Sequence, residues 1–216
     1  MRFVDRADAG RRLAQALRSY RDREPVVLAL PRGGLPVAAE IAAALVAPLD
    51  VVLVRKIGAP WQPELAMGAL VEGEPPTVVR NEAIISAAGI DERAFATAAE
   101  RARVELEDAR RRLLGDRPRA TIAGRAAILV DDGVATGATA RAALQSIRRR
   151  GAKTLTLAVP VASAEALAAL KHEVDDLVCL EAPARFEAVG AFYVDFSQVE
   201  DAEAVTILAR ISPTAR

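Results

Sequence analysis

The stretch that most constrains the fold is Ala127 to Arg150. Four apolar residues, Ala127 to Val130, end in two adjacent carboxylates, Asp131 and Asp132. A loop of small residues runs from Gly133 to Thr139, and a helical run follows from Ala140 to Arg150. A short apolar run bounded in this way suits a strand buried on both faces, as in a parallel sheet covered by helices. Ligands bind such sheets at the C-terminal ends of the strands. Gly137 and its small neighbours Ala135 and Ala138 let backbone N–H groups close around a phosphate. Thr136 and Thr139 add hydroxyls, Val134 opens the loop, and the helix N-terminus favours an anion. Two carboxylates beside a phosphate would repel it, so they face something else, either sugar hydroxyls or a bound cation. The ligand suggested is a sugar phosphate with a vicinal diol. The plainer reading is a strand–turn–helix junction whose Asp residues merely cap a helix. The strand, acidic pair, Thr-Gly-x-Thr loop and helix occurring in order favour the functional one.

A second unit of the same kind lies upstream. Pro25 introduces the apolar run Val26 to Leu30. Arg32-Gly33-Gly34 follows, and then a helical run, Val37 to Leu45. Two glycines permit close approach of a ligand, and Arg32 supplies a fixed positive charge. A plain turn with a surface arginine fits these residues equally well. Asp50 to Val54 reads as the next strand, with Arg55 and Lys56 at its end. That pair suits either a phosphate-rich ligand or simple solvation. An amphipathic helix is expected over Asp5 to Tyr20. Beyond the central stretch, Thr154 to Val159 is a strand, Ser163 caps a helix over Ala164 to Lys171, and Leu177 to Leu180 is a further strand. This alternation predicts an α/β fold with a mostly parallel central sheet flanked by helices.

The central stretch resembles the 5-phosphoribosyl pyrophosphate (PRPP) signature of type I phosphoribosyltransferases: an apolar strand, two acidic residues, two variable positions, then a small residue and Thr-Gly-x-Thr. Gly133 departs from it, standing where the family usually carries a larger apolar residue. The resemblance runs from about Pro25 to about Ala202 and implies the family's fold, with a small C-terminal hood over the acceptor site. It places the pyrophosphate loop at Arg32-Gly33-Gly34, with a strained or cis Arg32–Gly33 peptide. It sets a basic residue, Arg55 with Lys56 beside it, near the pyrophosphate. A mobile catalytic loop is implied within the irregular region Ile57 to Arg80. Trp61 there fits a lid and a hairpin anchor equally.

Asn81 and Asp91 each cap a helix. The longer one carries Phe95, Ala98, Ala102, Leu106, Ala109 and Leu113 at helical spacing, with a charged opposite face. That face reads as solvated, or else as a homodimer contact. The segment 81–115 is not part of the family's minimal core and reads as an insertion. The chain reads as one domain over 1–216, with the hood at about 183–205. Half of its eight aromatic residues, Phe186, Phe192, Tyr193 and Phe196, lie there. A flat base needs a stacking platform, and Tyr193 is the candidate, although rings of this kind also build a small core. The tail after Ile211 is expected to be disordered.

Net charge is zero, with 29 basic and 29 acidic residues, which removes any global argument for nucleic acid or an anionic membrane. The single cysteine, Cys179, excludes an internal disulfide and reads as an inert core thiol. No apolar run reaches membrane-spanning length and the start lacks a signal-peptide pattern, so a cytoplasmic protein is expected. His172 ends a helix beside charged residues and is given no catalytic role.

The resemblance implies transfer of the phosphoribosyl group of PRPP to a nitrogenous acceptor, with release of pyrophosphate and Mg²⁺ as cofactor. Asp131 and Asp132 would bind the ribose diol and the metal, directly or through water. Val134, Ala135, Thr136, Gly137, Ala138 and Thr139 would hold the 5-phosphate, and Arg32, Gly33, Gly34, Arg55 and Lys56 the pyrophosphate. Catalysis would be positioning and electrostatics. In 6-oxopurine members an Asp precedes Thr-Gly. Ala135 stands there, which argues against hypoxanthine or guanine and leaves the acceptor open. Two rivals use the same loops: a non-catalytic sensor of PRPP or nucleotides, and a phosphosugar hydrolase.

Overall fold

The computed structural model describes residues 2–211. The expectation about the tail after Ile211 lies outside them. Fifteen helices and strands follow in order: α1 (Arg6–Ala16), β1 (Val26–Ala29), α2 (Gly34–Leu45), β2 (Leu49–Val51), β3 (Val54–Ala59), β4 (Gln62–Val71), β5 (Thr77–Arg80), α3 (Glu82–Ala87), α4 (Glu92–Leu114), β6 (Ala126–Val130), α5 (Ala138–Arg149), β7 (Thr154–Val161), α6 (Ala164–Leu170), β8 (Asp176–Glu181) and α7 (Asp201–Arg210). Five strands form a wholly parallel sheet in the order β2-β1-β6-β7-β8.

Every residue of β1 and β6 is buried, because helices cover both faces. Alternation sends Val27, Ala29, Ile128 and Val130 to one side, where they pack with Leu13 and Leu17 and with Ile41 of α2. Val26, Leu28, Ala127 and Leu129 go to the other side, against Leu144 and Ile147 of α5. Truncating one of these fully buried leucines costs about 2–5 kcal/mol in a core of this kind.

The strand order places the site. From β1 the chain moves outward to β2, then returns to the opposite side of β1 to lay down β6. The C-terminal ends of β1 and β6 are therefore the topological switch point, where the following loops diverge and leave a crevice.

The middle of the chain differs from the sequence expectation. Residues 54–80 form a separate three-stranded antiparallel sheet, β3-β4-β5. The apolar run Asp50–Val54 is not one strand. β2 ends at Val51, the Val52 N–H donates to the Ala29 carbonyl (2.9 Å), and β3 begins at Val54. Arg55 and Lys56 thus lie inside β3 and do not follow a strand of the parallel sheet. Trp61 sits at the β3–β4 turn and is largely exposed. The helices of 81–115 follow the reading closely: Asn81 Oδ1 accepts from the Ile84 N–H (3.3 Å) and Asp91 Oδ1 from the Ala94 N–H (2.7 Å). α1 stops at Ala16, short of Tyr20, which belongs to a following 3-10 turn over Arg18–Arg23.

Residues 183–200 have little regular structure beyond a 3-10 turn at Val189–Phe192, and α7 begins at Asp201. The segment is completed by the start of the chain. The Phe3 N–H donates to the Phe192 carbonyl (2.8 Å) and the Val194 N–H to the Phe3 carbonyl (2.8 Å). Phe3, Ala9, Val161 and Tyr193 form a small core of their own beside Phe186, Val189 and Phe192.

Candidate active site

Two loops meet at the switch point. After β1, the chain turns at Pro31–Gly33 and enters α2 at Gly34. A cis peptide bond lies between Pro31 and Arg32, one residue earlier than the resemblance implied. After β6 come Asp131, Asp132 and the loop to α5. The loops are in direct contact. A Cβ on Gly33 would overlap the Asp132 carboxylate, and one on Gly34 would lie 2.8 Å from the Val130 carbonyl oxygen. Glycine at 33 is therefore required by the acidic pair as much as by any ligand.

The acidic pair is only partly open to solvent. Asp131 Oδ1 accepts from the Asp132 N–H (2.9 Å). Among the described residues, nothing donates to Asp131 Oδ2. Asp132 Oδ2 accepts from Arg6 Nε at 2.7 Å. Burial is the main cause that pushes Asp131 well above the usual carboxylate range, and the neighbouring Asp132 charge adds to it. Burial also raises Asp132, against the opposing pull of Arg6. Two carboxylates held this way gain from a cation brought to them.

The loop between β6 and α5 is ordered by β7 and α6. The Val134 N–H donates to the Val161 carbonyl (2.9 Å), the Ser163 N–H to the Val134 carbonyl (3.0 Å), and Ser163 Oγ to the Ala135 carbonyl (2.7 Å). Gly137 precedes α5 at φ +78°, a left-handed conformation that favours glycine. No side chain caps α5, so its first-turn N–H groups at Ala138 and Thr139 are left for a ligand. Ala135, Thr136, Ala138 and Thr139 are exposed there. Gly133 has a local reason: a Cβ would come within 2.5 Å of Val189 Cγ1, so the hood fills the place of the larger residue found elsewhere.

The basic residues divide. Arg32 Nη1 pairs with Asp201 Oδ1 at 3.1 Å, at the start of α7. Lys56 Nζ pairs with Glu64 Oε2 at 2.8 Å and lines a cavity of about 470 Å³ that it shares with Ala138 and Thr139. Arg55 reaches only the Val54 carbonyl (3.2 Å) and lines the groove between the β3–β4 hairpin and α4. Of the two, Lys56 is the one that shares a cavity with the start of α5.

Tyr193 requires a correction. It is not a free platform for a base. The ring is buried against Phe3 (5.3 Å between centroids) and Phe196 (5.0 Å). Its hydroxyl donates to the Asp132 carbonyl at 2.6 Å, and burial holds the phenol well above its ordinary pKa. The rings left half-buried are Phe186 and Phe192, stacked at 5.7 Å. Arg6 was not anticipated. It lies 126 residues from Asp132, on a helix whose sequence carries no motif.

The donor set suits Mg²⁺. It offers hard carboxylate oxygens. Among the described residues no cluster of three or more His, Cys, Asp or Glu could hold an ion alone. An ion here would share its coordination between one or two carboxylates and substrate oxygens, the mode Mg²⁺ favours. Among the described residues no helix is long and apolar enough to cross a membrane. Cys179 is a half-buried thiol that burial pushes up, consistent with an unreactive one.

The phosphoribosyl transferase domain matches residues 4–197. Two proteins of Mycobacterium tuberculosis, from strains CDC 1551 and H37Rv, carry provisional phosphoribosyl transferase names. Each is 46% identical over 208 residues, covering 96% of this chain. The chain spans 46% of the length of each, a little under half. Among solved structures, TT1426 of Thermus thermophilus is 44% identical with a TM-score of 0.86, over 98% of this chain and all of that one.

Proposed function

Because this chain belongs to the phosphoribosyl transferase family, we propose that it transfers the 5-phosphoribosyl group of PRPP to a nitrogenous acceptor, a nucleobase or related heterocycle, and releases pyrophosphate. One observation carries the reading. At the switch point, a glycine loop and an acidic strand end are packed so closely that a Cβ at Gly33 would displace the Asp132 carboxylate. This closeness supports the reading: carboxylates that bind the ribose diol would stand beside the loop that receives pyrophosphate, as departure of pyrophosphate from a ribose carbon requires.

In this mechanism the N–H groups at the start of α5, with Thr136 and Thr139, bind the 5-phosphate. The Asp131 carboxylate accepts from the ribose hydroxyls and lies near the positive charge that grows on the ring. The Arg32-Gly33-Gly34 loop and Lys56 receive the leaving pyrophosphate. Mg²⁺, held by Asp131 with the substrate oxygens, would neutralise the departing charge. Catalysis is then orientation and electrostatics, without a covalent protein nucleophile. We also propose that residues 1–216 act as one domain, with 81–115 inserted and 183–205 as the hood.

The test is product analysis. Pyrophosphate formed from Mg–PRPP only when an acceptor heterocycle is present supports transfer. Pyrophosphate formed equally without any acceptor would show hydrolysis instead.

A further inference from the structure

Asp132 is tied to the protein more heavily than its neighbour, although among the described residues nothing donates to its Oδ1. Its Oδ2 accepts from Arg6 Nε at 2.7 Å and lies against Gly33, its carbonyl accepts from Tyr193, and its N–H donates to Asp131. The Arg6 guanidinium is equally committed. Nη1 donates to the Ser197 carbonyl at 2.7 Å, and the group lies 3.9 Å over the Phe196 ring. Phe196 in turn packs on Tyr193. The contacts close a circuit from Asp132 through Arg6 to the hood segment and back through Tyr193. Arg6 is well shielded there, with its side chain 11% exposed, whereas residues 194–198 of the hood are exposed.

We propose that Arg6 is a positioning residue that fixes the Asp132 carboxylate in the acidic turn and couples occupation of that turn to ordering of hood segment 193–197. This rests on the sugar-phosphate reading above. The guanidinium makes two kinds of contact. Its Asp132 contact fixes the turn, and its Ser197 and Phe196 contacts fix the hood. A ligand that draws the turn into one position therefore acts on both. Tyr193 preserves a second link between hood and turn, and α1 keeps its Asp5 cap and buried Leu13 without Arg6. Arg6 variants should therefore fold.

The experiment measures Mg–PRPP affinity by calorimetry and hydrogen exchange of residues 193–197 with and without Mg–PRPP. It compares wild type, Arg6→Ala and Arg6→Lys. In wild type, Mg–PRPP should slow exchange in the segment. Arg6→Ala should weaken binding by about 10- to 100-fold, the usual effect of removing a group that orients a ligand-holding carboxylate, and should abolish the exchange response. Arg6→Lys should recover affinity to within about threefold of wild type, because it keeps the charge on Asp132. It should not recover the exchange response, because one ammonium cannot also reach Ser197 and cover the ring. Wild-type affinity and response in Arg6→Ala would overturn the role of Arg6 alone. Full recovery of both by lysine would overturn the coupling. A folded wild type that binds no Mg–PRPP would overturn the sugar-phosphate reading itself, and this inference with it, before any variant is compared.

Discussion

Two shielded groups of carboxylates, one at the sheet edge and one at the switch point, are built in opposite ways. Asp50 and Glu72, at the β2 edge, are almost fully buried. Asp50 accepts from the Val51 N–H (2.9 Å) and the Ala120 N–H (2.7 Å). Three guanidinium groups surround the pair. Arg119 approaches Glu72 Oε2 at 3.7 Å, Arg117 feels the Asp50 charge, and Arg150 feels both. Asp131 and Asp132 are faced by Arg6 alone among the described residues. The edge pair has its counter-charge inside the protein and ties the 116–122 segment to the sheet. The pair at the switch point is left one positive charge short. Closure by the protein's own cations marks a structural group, and a deficit of them marks a place prepared for something that arrives charged.

Removing one member of the closed group should have the largest effect. Asp50→Ala orphans the Ala120 N–H and leaves buried arginine charge, and should cost about 3–5 kcal/mol of stability in urea unfolding. The Mg–PRPP affinity of the folded fraction should be unchanged. A fall in affinity matching the loss of stability would show that the two groups are not separate.

Next comes Gly33→Ala, which drives a methyl group into Asp132. Calorimetry should show Mg–PRPP affinity lower by about a hundredfold, the effect expected when a ligand group is displaced by an ångström. Asp50 variants should not share this loss.

The third effect has the opposite sign. Asp131→Asn removes a charge that the fold tolerates poorly, and should stabilise the metal-free protein by on the order of 1 kcal/mol at neutral pH. The sign follows from linkage. The folded-state pKa lies above the unfolded value near 3.8. The charge therefore costs nothing below pH 4. Its cost grows as pH rises toward the folded pKa and is constant beyond it. The difference in melting temperature between variant and wild type should accordingly be greatest at neutral pH and fade toward pH 4. A variant less stable than wild type at pH 7.5 in EDTA would contradict this.

The smallest effect belongs to the surface. Arg103 on α4 pairs with Glu100 and Glu107 in full exposure, where ion pairs are screened. Arg103→Ala should leave the melting temperature unchanged within error.

How much of this was legible in the sequence follows from how local each signal is. The strand–acid–loop–helix order of 126–149 is a contiguous pattern, and it located Asp131, Gly137 and the start of α5. Asn81, Asp91 and Ser163 were readable as caps because a cap acts within three residues. The break at Val52-Leu53 was not, because both sides are apolar and only pairing partners separate one strand from two. Tyr193 looked like a platform because aromatic clustering is visible in sequence and burial is not. Arg6 could not be found at all. Its partner is remote in the chain, and one arginine opening an amphipathic helix looks like any other solvated charge.

The central claim is that the under-compensated pair at the switch point is a cation-dependent sugar-phosphate site. Calorimetric titration with PRPP tests it most directly, in Mg²⁺ and in EDTA, using wild type and Asp131→Asn. The account predicts binding by wild type in Mg²⁺, its loss in EDTA, and its loss in the folded variant. No binding by folded wild type, or equal binding by Asp131→Asn, would contradict it.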